Sequence, residues 1–230
     1  MASPDDAHVS PESRIGFAIV LAGGTGRRMG GASKPDVVVA GRRMIDHVLD
    51  ELAEQKVPAV VVGPPDLDVP GAAALVREDP PLGGPAAGIA AGYAAGAGTF
   101  EGKLVAVLAC DAPFAPRVLP RLAAAAGGPA TAAAAHPPAT TAGAVAVTPD
   151  GRVQRLLCVI GTAALGAAIE RLESDGGVRD RSVRALLGDL HLAPVDVPSW
   201  AMDADSPDDV AELERLAEEA VTAGRRQAEG

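Results

Sequence analysis

The sequence predicts an α/β fold: a doubly wound, mostly parallel sheet with helices on both faces. Three observations carry this. Over the first ~125 residues, apolar runs of strand length alternate with stretches of helical period. Farther on, Pro149-Asp150-Gly151 separates two apolar runs and predicts a tight turn between strands, which makes the sheet mixed. The chain has 230 residues and no internal repeat or linker-like stretch, so it suits one domain.

Residues 1–13 are polar and predict a disordered tail; the folded domain is expected over residues 14–222. Ile15 to Leu21 is a short apolar run and predicts a buried parallel strand. Val37 to Val39 predicts a short extended piece ending at Gly41. Residues 42–55 place Met44, Ile45, Val48, Leu49 and Leu52 on one helical face. Val57 to Val62 and Ala72 to Arg77 predict strands two and three. Ala86 to Ala97 predicts a helix of small residues that can lie very close to a sheet. Leu104 to Ala109 is the most clearly buried strand, and Pro116 to Ala126 the helix after it.

Residues 127–142 are ambiguous, with a strand expected in 130–135. Ala144 to Thr148 and Val153 to Ile160 predict the strands flanking the Pro149–Gly151 turn. Gly161 to Leu172 and Asp180 to Leu187 predict helices, and Leu192 to Val197 a late strand. Ser206-Pro207-Asp208-Asp209 is a helix start, with serine at the cap and acids facing the positive end of the dipole. Asp208 and Asp209 are expected to do only that. Val210, Leu213, Leu216, Ala217 and Ala220 make that helix's buried stripe.

The formal net charge is −10, which argues against nonspecific binding to nucleic acid or an anionic membrane. An anionic substrate must be held by a local basic cluster. The start of the chain lacks the basic and apolar segments of a signal peptide, and no run reaches the ~18 apolar residues of a membrane span. The expected location is the cytoplasm, with Cys110 and Cys158 reduced.

Ligands of an open parallel sheet collect at the carboxyl ends of its strands. Three charged features fall there: the glycine-rich stretch Gly23 to Gly30 with Arg27, Arg28 and Lys34; Asp79; and Asp111. Glycine lets backbone N–H groups approach an anion, and Arg and Lys supply the charge that holds a triphosphate. The dinucleotide fingerprint fits poorly, because Met29 stands at its third glycine. The P-loop also fits poorly, because Lys34 comes late and Pro35 follows it. Asp111, at the lip of a buried strand, is placed to hold Mg²⁺, a cation that takes one or two carboxylates plus phosphate oxygens and water.

Leu21-Ala22-Gly23-Gly24-Thr25-Gly26-Arg27-Arg28-Met29-Gly30, with Lys34, resembles the signature L-A-x-G-x-x-x-R-M-G-x(2-3)-K of the sugar-nucleotide-type nucleotidyltransferases. The pair Gly23-Gly24 most resembles the molybdenum cofactor guanylyltransferase family within it. Leu108 to Phe114 is similar to that family's L-x-C-D-M-P-F segment, with Ala112 in place of methionine. Gly84-Pro85-Ala86-Ala87-Gly88-Ile89 is similar to its G-P-L-A-G-[IL], preceded by Asp79. Asp203-Ala204-Asp205-Ser206-Pro207-Asp208-Asp209 is similar to its N-x-N-T-P-E-[DE], with both asparagines replaced by Asp as in cytidylyl-transferring relatives. Ser33 replaces the usual Asp before Lys34, and the asparagine expected after the second strand is absent.

The resemblance implies a three-layer Rossmann-like sandwich, the nucleotide-diphospho-sugar transferase fold. It implies nucleotide binding by Leu21, Ala22, Gly23, Gly24, Gly26, Lys34, Asp79 and Asp111, and catalysis by Arg27, Lys34 and Asp111. It implies Mg²⁺ on Asp111 and Asp205. The implied reaction moves GMP from GTP to a phosphorylated pterin, molybdopterin carrying molybdenum, and releases pyrophosphate. Transient contact with molybdenum cofactor enzymes or delivery proteins goes with it. Transfer from CTP or another NTP, and a non-catalytic nucleotide-binding homologue, stand as alternatives.

Overall fold

The computed structural model describes residues 14–23, 34–127 and 141–216. Gly24, Gly26 and Arg27, the tail at 1–13 and the strand expected in 130–135 lie outside them. In chain order the elements are β1 (Ile15–Leu21), β2 (Val38–Val39), β3 (Arg42–Arg43), α1 (Met44–Glu54), β4 (Ala59–Val62), β5 (Ala74–Val76), α2 (Pro85–Gly96) and β6 (Leu104–Ala109). There follow α3 (Leu119–Gly127), β7 (Gly143–Val147), β8 (Val153–Gly161), α4 (Thr162–Ser174), α5 (Val183–Leu187) and β9 (Leu192–Asp196). Residues 207–216 are helical.

Seven strands form one sheet in the order β5-β4-β1-β6-β8-β7-β9. β1 lies centrally and pairs parallel with β4 and β6, Val20 facing Val61 on one side and Leu108 on the other. β8 is antiparallel to both its neighbours, while β7 and β9 are again parallel. The sheet is mixed and mostly parallel, as the turn at Pro149–Gly151 predicts.

Alternation along each strand sorts the core into two layers. Ala18, Val20 and Val61 pack against Ile45, Val48 and Leu52 of α1 and Leu119 and Leu122 of α3. Phe17, Ile19, Val60 and Val62 pack on the other face against Ile89 of α2, Leu165 and Leu172 of α4, and Leu186 of α5. With helices on both faces, the three-layer sandwich is the observed fold.

Helix α2 sits very low on the sheet. Gly88, Gly92 and Gly96 form its inner stripe, and a Cβ on Gly92 would lie 2.5 Å from Cγ2 of Ile19. A Cβ on Gly96 would strike the Phe17 ring. Residues this small are what bring the start of α2 down to the sheet edge.

Some boundaries differ for local reasons. The helix expected from residue 42 starts at Met44, because Arg42–Arg43 first pairs with Val38–Val39. Ala40 and Gly41 both take positive φ, 48° and 78°, as a two-residue hairpin loop requires. α5 starts at Val183 rather than Asp180, because Asp180 takes φ 57° and the Ser182 side chain caps the helix by accepting from the Ala185 N–H. β4 starts after Pro58, which has no N–H to give a neighbour.

Candidate active site

Leu21, Val62 and Ala109 end β1, β4 and β6 at one edge of the sheet. Backbone bonds continue past them: the Ala22 N–H donates to Val62 O at 2.8 Å, and the Cys110 N–H to Leu21 O at 3.0 Å. Asp111 is therefore held at a rigid lip. Behind it, Phe114 packs with Val39, Met44, Ala204 and Leu213 in a small separate core. The Ala204 N–H donates to Asp111 O at 2.8 Å, so the loop carrying Asp203 and Asp205 is pinned to the same lip.

Lys34 begins a short 3-10 turn, Lys34–Asp36, whose Pro35 is buried. Its Nζ lies 2.7 Å from Asp111 Oδ2 and 2.6 Å from Asp205 Oδ1. Burial alone would lower the lysine pKa, but its bonds to Asp111 and Asp205 overcome this and hold it above the usual range. Burial pushes the Asp111 carboxyl up, and Lys34 opposes that while Asp203 and Asp205 push further up. Asp111 Oδ1 is buried without a hydrogen-bond partner.

Asp111 and Asp205 thus share one ammonium, and the Asp203 charge acts on Asp111 as well. This excess of negative charge, with an orphaned oxygen on Asp111, fits a hard divalent cation. Among the described residues no three His, Cys, Asp or Glu side chains form a ready-made cage. Asp111 and Asp205 would have to hold Mg²⁺ together with phosphate oxygens and water, which is how that ion is usually bound.

Two cavities meet at this cluster. One, of about 470 Å³, is lined by Leu21, Gly23, Lys34 and Asp111 on the sheet side and by Glu78, Leu82, Gly84 and Gly88 opposite. The other, of about 310 Å³, shares Lys34, Ala109, Asp111 and Leu156, and adds Gln154, Arg155, Asp203 and Asp205.

The structure therefore brings together Leu21, Gly23, Lys34, Asp111 and Asp205. Ala22 is buried and its N–H is already spent on Val62. Asp79 is exposed and does not line either cavity; its neighbour Glu78 does, and accepts from the Leu82 N–H at 3.0 Å. Asp209 does more than start a helix: its Oδ2 accepts from the backbone N–H groups of Asp205 at 3.0 Å and Ser206 at 2.8 Å. Arg181 pairs with Asp175 at 2.7 Å and lies before the start of α5.

Sequence reasoning passed over Glu78, Leu82, Gln154, Arg155 and Leu156. Glu78 adjoins a predicted residue. Arg155 gave no signal, because one arginine in a strand usually faces water.

The MobA-like NTP transferase domain model matches residues 18–193. The molybdenum cofactor guanylyltransferase of Bradyrhizobium sp. (strain ORS 278) is 41% identical over 113 residues, 46% of this chain and 53% of that protein. The molybdenum cofactor guanylyltransferase of Acidiphilium cryptum (strain JF-5) is 33% identical over 122 residues, 52% of this chain and 58% of that protein. The chain thus spans little more than half the length of these relatives. The crystal structure of molybdopterin-guanine dinucleotide biosynthesis protein A from Archaeoglobus fulgidus superposes with a TM-score of 0.58 at 20% identity, over 88% of this chain and 99% of that one, and shares the fold. With a family model running from the middle of β1 into β9, and so through Lys34 and Asp111, the chain belongs to the MobA-like NTP transferase domain family.

Proposed function

We propose that the protein is a nucleotidyltransferase that moves GMP from GTP to the phosphate of molybdopterin carrying molybdenum, releasing pyrophosphate. The observation that carries this is Lys34 bonded to Asp111 and Asp205 where two cavities join. One cavity suits a nucleotide and the other an acceptor, so the reacting phosphorus would lie between them. The two guanylyltransferase relatives support GTP as donor and a molybdenum cofactor as acceptor.

The attacking phosphate is already an anion, so no protein base is needed. An acceptor oxygen gives its electron pair to the α-phosphorus, and the bond to the bridging oxygen breaks with its pair leaving on pyrophosphate. Lys34 would turn from its carboxylates to the triphosphate. Asp111 and Asp205 would then be left for Mg²⁺, which supplies neutralisation of the triphosphate and of the leaving group. Gly23 and the low N-terminus of α2 would let the nucleotide approach backbone closely, and Arg27 would add charge at the phosphates. Catalysis here is positioning and electrostatic stabilisation.

Pyrophosphate release from each NTP, with Mg²⁺ and molybdopterin phosphate or other phosphorylated acceptors, tests this. GTP is expected to react; release from CTP alone would favour a cytidylyltransferase, a reading that the acids at 203 and 205 already support. GTP binding without release under any acceptor would indicate a non-catalytic binder. Cys110 and Cys158 are free and buried, which supports a reducing compartment, the cytoplasm, where molybdenum enzymes or delivery proteins would meet the product. Among the described residues no helix is long and apolar enough to cross a membrane.

A further inference from the structure

The cavity beside Asp203 carries a cation that nothing in the nucleotide half uses. Arg155 stands in β8 where the ladder is irregular. Val145 of β7 faces Cys158, yet the next residue, Ala146, faces Gln154, so residues 155–157 oppose a single step of β7. On the other side β8 stays in register with β6 as far as Leu108 and Leu157. Bulges of this kind re-aim side chains and are common beside active sites. Here residues 154–157 all line the second cavity, and Leu156 lines the first as well.

The charges on that wall are spoken for, with one exception. Lys34 bridges Asp111 and Asp205. Asp203 accepts from Gln154 Nε2 at 3.1 Å and faces Arg152 Nη2 at 3.7 Å. Arg155 is exposed, and among the described residues its guanidinium has no ion pair or hydrogen bond; only its carbonyl is engaged, accepting from Cys158 Sγ. A phosphate entering past Asp203 and Asp205 meets repulsion, and this guanidinium is the group placed to offset it.

We propose that Arg155 binds the acceptor's phosphate monoester in the second cavity and aims it at the α-phosphorus. The inference rests on the transferase reading above. A guanidinium forks onto two phosphate oxygens and leaves the third free to attack. That oxygen forms the new bond to phosphorus, pyrophosphate leaves with the electron pair of the broken one, and no proton moves.

The test uses the full chain and the variants Arg155→Ala, Arg155→Gln and Arg155→Lys. Pyrophosphate release is followed with GTP and Mg²⁺ saturating while molybdopterin phosphate is varied. The alanine and glutamine variants are expected to raise the acceptor KM roughly tenfold or more, as loss of a charge-assisted pair does. The KM for GTP stays within about twofold, and lysine recovers part of the loss. Two neutral variants are used so that misfolding of one still leaves an answer. An unchanged acceptor KM in both, with an active parent protein, overturns the assignment and leaves the transferase reading standing. If the parent releases no pyrophosphate with any acceptor, that reading fails. The site is then judged by ligand-observed NMR with phenyl phosphate: binding lost in Arg155→Ala supports it, while equal binding or none overturns it.

Discussion

Asp209 Oδ2 accepts the backbone N–H of Asp205 at 3.0 Å, so the first turn of the last helix holds the residue that reaches Lys34. Ser206 completes the arrangement: its N–H donates to the same oxygen at 2.8 Å, and its Oγ accepts from the Asp209 N–H at 3.2 Å. This is a reciprocal cap in which Asp takes the place of the commoner Glu.

The cap makes a pH prediction. The Ser206 hydroxyl, with the N–H groups of Asp205 and Ser206, holds the Asp209 carboxyl below the ordinary range. A depressed acid stabilises the fold above its unfolded pKa of about 3.9 and loses that contribution as pH falls through the lower folded value. Asp209→Asn is expected to lower the urea midpoint at pH 6, and the gap to the parent should close as pH approaches 3. A gap that widens toward acid would refute the cap.

Asp111→Ala should cut turnover by about 10³-fold while far-UV circular dichroism stays native. The pairing of Lys34 with Asp205 survives in that variant, so the loop keeps its anchor. Near-parental pyrophosphate release would rule out Asp111 as the metal-binding acid.

Lys34→Ala removes the ammonium that separates Asp111 from Asp205. The KM for GTP should rise by about 10–100-fold. The two carboxylates are also left as a bare pair, so Mg²⁺ without nucleotide should raise the thermal midpoint of this variant more than that of the parent. Differential scanning fluorimetry over a Mg²⁺ titration reads the difference.

Gly92→Ala tests the close approach of α2. Alanine favours the helix by about 1 kcal/mol, but its methyl would sit 2.5 Å from Ile19 Cγ2, and overpacking costs about 1–3 kcal/mol. The thermal midpoint should fall by a few degrees rather than rise.

Burial pushes the Cys158 thiol up to about 12, and burial with Asp111 alongside pushes Cys110 up as well. Neither should react with Ellman's reagent at pH 8 in the native protein, and both should react in guanidinium.

Much of this was legible because parallel strands are apolar runs bounded by glycine and proline. Ile15–Leu21 and Leu104–Ala109 emerge with the expected ends. Lys34 and Asp111 were found because each belongs to a local motif, and their meeting follows from β1 and β6 being neighbours. What stayed hidden depends on pairing between distant segments. The reach of Asp209 to Asp205 needs cap geometry, and Arg155 depends on a slip between β7 and β8 that no run of residues announces. Asp79 and Glu78 are adjacent, and only the path of their loop decides which one faces the cavity.

The reversed direction of β8 has a consequence for how such proteins diversify. Because this strand runs against its neighbours, it begins at the edge where they finish. A stretch of the sheet itself, rather than a separate lid, thereby becomes one wall of the cleft. Apart from Leu156, the first cavity is lined by chain before Ala112; apart from Lys34 and residues 109–112, the second is lined by chain after Arg152. Under the proposed transferase reading, exchange of the later stretch alone could re-tailor the partner molecule while the rest of the cleft is inherited intact.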